Sequence, residues 1–196
     1  MTAAARGIDQ RLLGDAELVA ALESSRRLGM LGKAPIEDVI THSARFVAAL
    51  ASTRGQVVDL GTGGGVPGLV IARARPDLLM VLVDRRATRT DHVSRLVHRL
   101  GLADRVRVLT TDAVSLAKLL PSRTAAVVAR GFGPPTVVMR AARAILGIDG
   151  LLLVSAPPPG RSSHRWCAEL VAEGGFSAVE SDHSLVALCV SRETGA

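Results

Sequence analysis

Five glycines fall within eight positions of the segment Val57-Val58-Asp59-Leu60-Gly61-Thr62-Gly63-Gly64-Gly65-Val66-Pro67-Gly68, directly behind two β-branched residues and an acid. The apolar run Leu69-Val70-Ile71-Ala72 then begins a helical pattern. Strand, tight loop and helix is the order this predicts. Glycines without Cβ atoms let backbone N–H groups approach a ligand closely, and the N-terminus of the following helix adds partial positive charge. A lone G-x-G would be an ordinary turn. Asp59, two residues before the first glycine, and the strand beside it point instead to a nucleotide-like ligand.

The rest of the chain repeats the alternation. Two helices are expected first, over 15–32 and after Pro35, the second carrying Ile36, Val39, Ile40, Ala44, Val47 and Leu50 on one side. A strand over 56–60 leads through the glycines into a helix ending near 74. A buried strand over 78–83 ends at Asp84, and a helix over 86–100 keeps Val93, Leu96, Val97 and Leu100 on one face. Its Arg86, Arg89, Arg95 and Arg99 form a solvated surface or a phosphate track. Further strands are expected over 106–109, 125–129 and 151–155, with a helix over 136–146. The run Pro157-Pro158-Pro159-Gly160 must be a loop. A helix near 163–173 holds Trp166, and 176–181 with 184–192 read as an antiparallel pair joined through Asp182-His183.

Strands alternating with helices imply one α/β domain with a mainly parallel, Rossmann-like sheet (55–192) behind N-terminal helices (15–50). Ligands in such folds bind beyond the carboxyl ends of the strands. Residues 59–65, Asp84, Asp112 and 130–132 fall there. Asp84, about 20 residues past the glycines, can accept hydrogen bonds from both hydroxyls of a ribose. Asp112 could accept one from an adenine amino group while Ala113 packs on the ring. A nicotinamide cofactor fits less well, because Val66 stands where its fingerprint needs a third glycine and Asp59 would face a pyrophosphate. S-adenosyl-L-methionine presents a cationic amino group and sulfonium, which an acid beside the turn favours.

These segments resemble the class I S-adenosylmethionine-dependent methyltransferases. More narrowly they resemble the bacterial glucose-inhibited division protein B family, the small-subunit ribosomal RNA guanine-N7 methyltransferases. The likeness rests on residues 58–68 with their Gly-Val-Pro-Gly ending, on Leu82-Val83-Asp84 with Arg89 downstream, and on Val128-Ala129-Arg130-Gly131. It implies a seven-stranded sheet with an antiparallel C-terminal strand. With the residue reading, it implies cofactor contacts at Asp59, Gly61, Thr62, Gly63, Gly65, Val66, Pro67, Asp84, Arg85, Asp112, Ala113 and Arg130. Ribosomal RNA or the 30S subunit would be the partner. Three family features are missing: an Asn-Leu-Thr signature, replaced within residues 24–33; a Lys-Gly after the fifth strand, where Ser155-Ala156-Pro157 stands; and an Arg-His pair, where Asp182-His183-Ser184 stands.

A purine N7 carries an in-plane lone pair and needs no general base, so catalysis reduces to alignment. Arg130 and Phe132 are the catalytic candidates. Arg130 holds a phosphate or O6, or else makes a surface salt bridge; Phe132 stacks on the base, or else sits in the core. Gly133-Pro134-Pro135-Thr136 lacks the acid or amide and the aromatic that usually serve exocyclic amino methylation. Neither Cys167 nor Cys189 falls where a cytosine C5 nucleophile would have to be.

Composition narrows the setting. The net charge of +6 and pI near 10.8 invite nucleic acid, but only Lys33 and Lys118 among the 24 cationic residues are lysine, a skew expected of a GC-rich genome. Charge alone therefore leaves RNA contact open. Aromatics are 2% of the chain, too few for a surface stacking successive bases. No apolar run reaches the roughly 20 residues of a membrane span, the N-terminus lacks a secretory core, and two cysteines frame no disulfide scaffold. A reducing, cytoplasmic setting without membrane or metal is expected, since His42, His92, His98, His164 and His183 lack ligand spacing. Two rivals stay open: a small-molecule methyltransferase with residues 15–50 as its lid, and a catalytically silent cofactor-binding paralogue acting as an interaction module.

Overall fold

The computed structural model describes residues 7, 10–120, 124–156, 166–179 and 184–191. Two helices, α1 (Ala16–Arg27) and α2 (Ile36–Ala49), precede β1 (Gly55–Leu60). Then come α3 (Gly68–Ala74), β2 (Leu78–Asp84), α4 (Ala87–Arg99), β3 (Val106–Thr110) and α5 (Ala113–Leu119). The order continues with β4 (Thr124–Ala129), α6 (Pro135–Arg143), β5 (Leu146–Ser155), α7 (Ala168–Glu173), β6 (Phe176–Val179) and β7 (Leu185–Val190).

One sheet results, ordered β3-β2-β1-β4-β5-β7-β6. Strands β1 to β5 are parallel, and β7 runs antiparallel to both β5 and β6. The strand order reverses at β1, with β2 on one side and β4 on the other, which is where such sheets open a ligand crevice. Alternate residues face opposite layers: Leu78, Met80 and Leu82 pack with α1 to α4, while Val81 and Val83 pack with α5 to α7. Burial on both faces explains why the strands read as continuous apolar runs.

Helix α1 starts where Asp15 accepts from the Leu18 amide at 3.1 Å, and buries Leu18, Ala21, Leu22 and Ser25 along one stripe. Arg73 of α3 grips Asp15 at 2.5 Å and Glu17 at 2.9 Å, fixing the N-terminal layer to the sheet's first crossover helix. Burial raises the Asp15 carboxyl, but its bonds from Arg73 and Leu18 outweigh that and hold it below its ordinary pKa.

Several elements differ from the sequence expectation, among them α7, which begins at Ala168 and leaves Trp166 before it. Helix α5 has no counterpart in that expectation, because one buried side chain, Leu116, is too little for a periodic signal. Strand β5 begins at Leu146, not 151, and α6 correspondingly ends earlier. The Gly147-Ile148-Asp149-Gly150 stretch, between the expected helix and strand, stays in the strand through an irregular register against β4 between Thr124 and Ala126. The expected 157–160 loop and the Asp182-His183 connection lie outside the described residues. No helix among the described residues is long and apolar enough to cross a membrane.

Candidate functional site

Parallel pairing brings the carboxyl ends of β1, β2, β3 and β4 to one rim, and a cavity of about 390 Å³ opens there. Gly61 lines it from the turn after β1, Asp84 and Arg85 from the end of β2, Asp112 and Ala113 from the end of β3, and Phe132 from beyond β4. Residues as far apart in sequence as Leu60 and Val137 thus meet on one small surface.

The glycine turn is fastened to its neighbour. Gly61 and Thr62 both donate backbone N–H bonds to the Val83 carbonyl, at 2.8 and 2.9 Å, and the Gly63 amide donates to Asp84 Oδ2 at 3.1 Å. Gly61 adopts φ 74°, and a Cβ there would stand 2.8 Å from Phe132 Cδ2. Glycine is required on both counts. Phe132 is half-buried and closes over this end of the cavity. The turn's middle is roofed by the N-terminal layer: Leu31 and Ser25 pack on Gly64, and the Met30 carbonyl faces Gly63.

Asp84 is 6% exposed and accepts three donors. Oδ1 takes the Arg86 amide at 3.0 Å; Oδ2 takes the Gly63 amide and, at 3.4 Å, Arg89 Nη1. Asp112 caps α5, its Oδ1 accepting from the amides of Val114 at 2.9 Å and Ser115 at 2.8 Å, with the Ser115 hydroxyl on Oδ2. The Ser115 amide, more than any other group, holds the Asp112 carboxyl below its ordinary pKa.

Asp59, Thr62, Gly63, Gly65, Val66, Pro67 and Arg130 do not line the cavity. Gly65, Val66 and Pro67 lie buried behind the turn, leading into α3. Asp59 sits wholly buried beneath it, a departure from the expected place beside a cationic ligand group. The reason is geometric: Asp59 is on the strand face that turns toward α3, where Oδ2 accepts the Gly68 amide at 2.9 Å. A Gly68 Cβ would stand 2.6 Å from that oxygen, so the acid and the last glycine form one packing unit. Asp59 Oδ1 and the Thr62 hydroxyl, both buried, complete no hydrogen bond among the described residues. Burial pushes the Asp59 carboxyl up to about 7; the neighbouring Thr62 hydroxyl, the Gly68 amide and the Arg130 charge all pull it down, and Asp84 adds to the rise. Arg130, half-buried, has its own pKa lowered by burial while the Asp59 charge works against that.

Eight lining residues are not among the expected cofactor contacts: Leu60, Val83, Arg86, Arg89, Thr111, Gly131, Val137 and Phe132, the last a catalytic candidate. Arg86 and Arg89 could have been found from their position in the first turn after Asp84. Val137 follows a proline pair with no periodic cue. Two histidines serve packing. His42 Nε2 meets Ser155 Oγ at 2.9 Å beside Phe46, and His92 is buried against Ser25 at 3.0 Å, its pKa lowered first by burial and then by Arg95 and Arg99.

The family model for rRNA small subunit methyltransferase G matches residues 25–155. A relative named ribosomal RNA small subunit methyltransferase G from Salinispora arenicola is 39% identical over 119 residues, covering 61% of this chain and 40% of the relative. One of the same name from Acidothermus cellulolyticus is 36% identical over 104 residues, covering 52% and 46%. The chain thus spans less than half the length of these relatives. Among solved structures, a methyltransferase from Geobacter sulfurreducens is 17% identical with TM-score 0.66, over 91% of this chain and 90% of that one. An O-methyltransferase family protein from Burkholderia thailandensis is 16% identical with TM-score 0.61, over 95% and 63%. At such identities the two structures bear on the fold alone.

Proposed function

The chain belongs to the rRNA small subunit methyltransferase G (GidB) family, and from that membership we propose that it transfers a methyl group from S-adenosylmethionine to N7 of a guanine in small-subunit ribosomal RNA. The observation that carries this is the convergence of Gly61, Asp84, Asp112 and Ala113 on one cavity from the ends of three adjacent strands. The residues present fit the cofactor: Asp84 has acceptor capacity for ribose hydroxyls, Ala113 and Val137 offer an adenine an apolar wall, and Gly61 leaves room a Cβ would fill. When bound, the cofactor supplies an electrophilic methyl group.

Guanine N7 has no proton to lose, so the protein has only to align it in a dry site, a contribution on the order of 7–11 kcal/mol. Phe132 stacks on the acceptor base, and Arg130 holds its O6 or a neighbouring phosphate. An unpaired or flipped guanine is the substrate form, since duplex packing hides the acceptor. The exposed Arg85 and Arg86 at the rim favour a polyanion over a small metabolite. A cytoplasmic setting, with the 30S subunit as partner, belongs to the same proposal.

The test is incubation of the purified protein with methyl-labelled cofactor and either 30S particles or naked small-subunit RNA. Label is expected at guanine N7, and Arg130→Ala should lower kcat/KM by about 10–100-fold, the loss of one charge-assisted hydrogen bond. Cofactor binding without transfer to any RNA would point to a silent paralogue; failure to bind the cofactor would remove the enzyme reading.

A further inference from the structure

Arg89 stands between the two parts of the site that a ligand must use together. Its Nη1 is 3.4 Å from Asp84 Oδ2 and 3.8 Å from where a Gly63 Cβ would be, and its side chain is only 30% exposed. This contact is loose beside two other arginine pairs, though tighter than the exposed Arg54–Asp77 contact at 3.9 Å. Arg73 reaches Asp15 at 2.5 Å, and Arg75 holds Asp77 with two bonds of 2.7 Å. Those are structural clamps, whereas a single 3.4 Å contact is exchangeable.

Counting acceptor sites shows what the exchange would be. A carboxylate offers about four lone-pair sites. On Asp84 the amides of Gly63 and Arg86 fill two, which leaves two for the paired hydroxyls of a ribose. Arg89 competes for one of the two. A ribose that takes both would leave a half-buried guanidinium without its counter-charge, at a cost that a second anion removes. From this geometry, and resting on the cofactor reading above, we infer that Arg89 is a specificity residue. It yields Asp84 to the ribose and takes the ligand's own anionic group, so the site selects an adenosine that carries a carboxylate over one that does not.

S-adenosylmethionine and its decarboxylated form share the nucleoside, the sulfonium and the amine, and differ in the carboxylate alone. Calorimetric titration of the full chain with each is the test. The wild type should prefer the carboxylated ligand, and Arg89→Ala should cut that ligand's affinity by about 10–100-fold, the range for one charge-assisted hydrogen bond, while changing the decarboxylated one by less than about threefold. Arg89→Lys, which keeps the charge without the fork, should retain a reduced preference. Melting curves of both variants separate misfolding from lost recognition. An equal loss for both ligands in Arg89→Ala, or no preference in the wild type, would overturn the assignment. Failure of the wild type to bind either ligand would instead overturn the cofactor reading on which it rests.

Discussion

Asp59, the last residue but one of β1, and Asp84, the last of the adjacent parallel strand β2, occupy opposite situations. Asp84 stays at the cavity with three donors on its two oxygens. Asp59 lies fully buried beneath the glycine turn with one oxygen bonded and the other unsatisfied. In the parallel register Asp59 pairs with Leu82, so Asp84 stands two residues further toward the rim, and the path of the chain immediately afterwards widens the difference. After β2 the chain departs into α4 and leaves the strand end open. After β1 it folds back over its own last residues, because the glycines permit the turn and Gly68 brings α3 onto the acid. One carboxylate thereby becomes a recognition group and the other an internal support of the loop.

The largest measurable consequence of this contrast is a pH effect on stability. Asp59 has a folded pKa near 7 against 3.8 unfolded, so the folded state holds the extra proton between those values. Stability contributed by the neutral acid is fully present below about pH 4 and is lost as pH rises through 7, on the order of 4 kcal/mol. Denaturant titrations across that range should show the slope, and Asp59→Asn should flatten it. An unchanged slope in the variant would break the comparison, since the slope would then not come from Asp59. Next in size, Asp84→Asn should weaken binding of the cofactor by about 10–100-fold while keeping most of the Asp59-linked pH slope, to which the Asp84 charge adds least of the groups around Asp59. The smallest effect belongs to Asp112, which sharpens the contrast by adding a third strand-end acid with a capping role. Asp112→Ala should lower the melting temperature and Asp112→Asn much less; cofactor affinity that falls in Asp112→Asn without a loss of stability would add a ligand contact to the cap.

Much of this architecture could be read from residues alone. The alternation of apolar strands with amphipathic helices gave the parallel sheet, since burial on both faces leaves continuous runs such as Leu78 to Val83. Asp84 and Asp112 were legible as strand-end acids, because topology puts such residues on one rim whatever their side chains then do. Two things were hidden. Helix α5 is held by its cap at Asp112 more than by packing, and sequence periodicity registers packing. The depth of Asp59 depends on which face of β1 the last residues turn toward, and on Leu31 and Ser25 coming from a separate layer to cover the turn. Neither fact is local to the segment that carries the motif.

The double anchorage of Gly61 and Thr62 on the Val83 carbonyl, with Gly63 on Asp84, means that the turn and the end of β2 form one rigid piece. A nucleoside arriving there would find its cradle preorganised, and binding would not have to freeze the loop. Its entropy cost would fall on the ligand and on the side chains that move, Phe132 and Arg89 foremost. Loss of the turn's hold on β2 would then register as slower, weaker capture even with every ligand-touching residue in place.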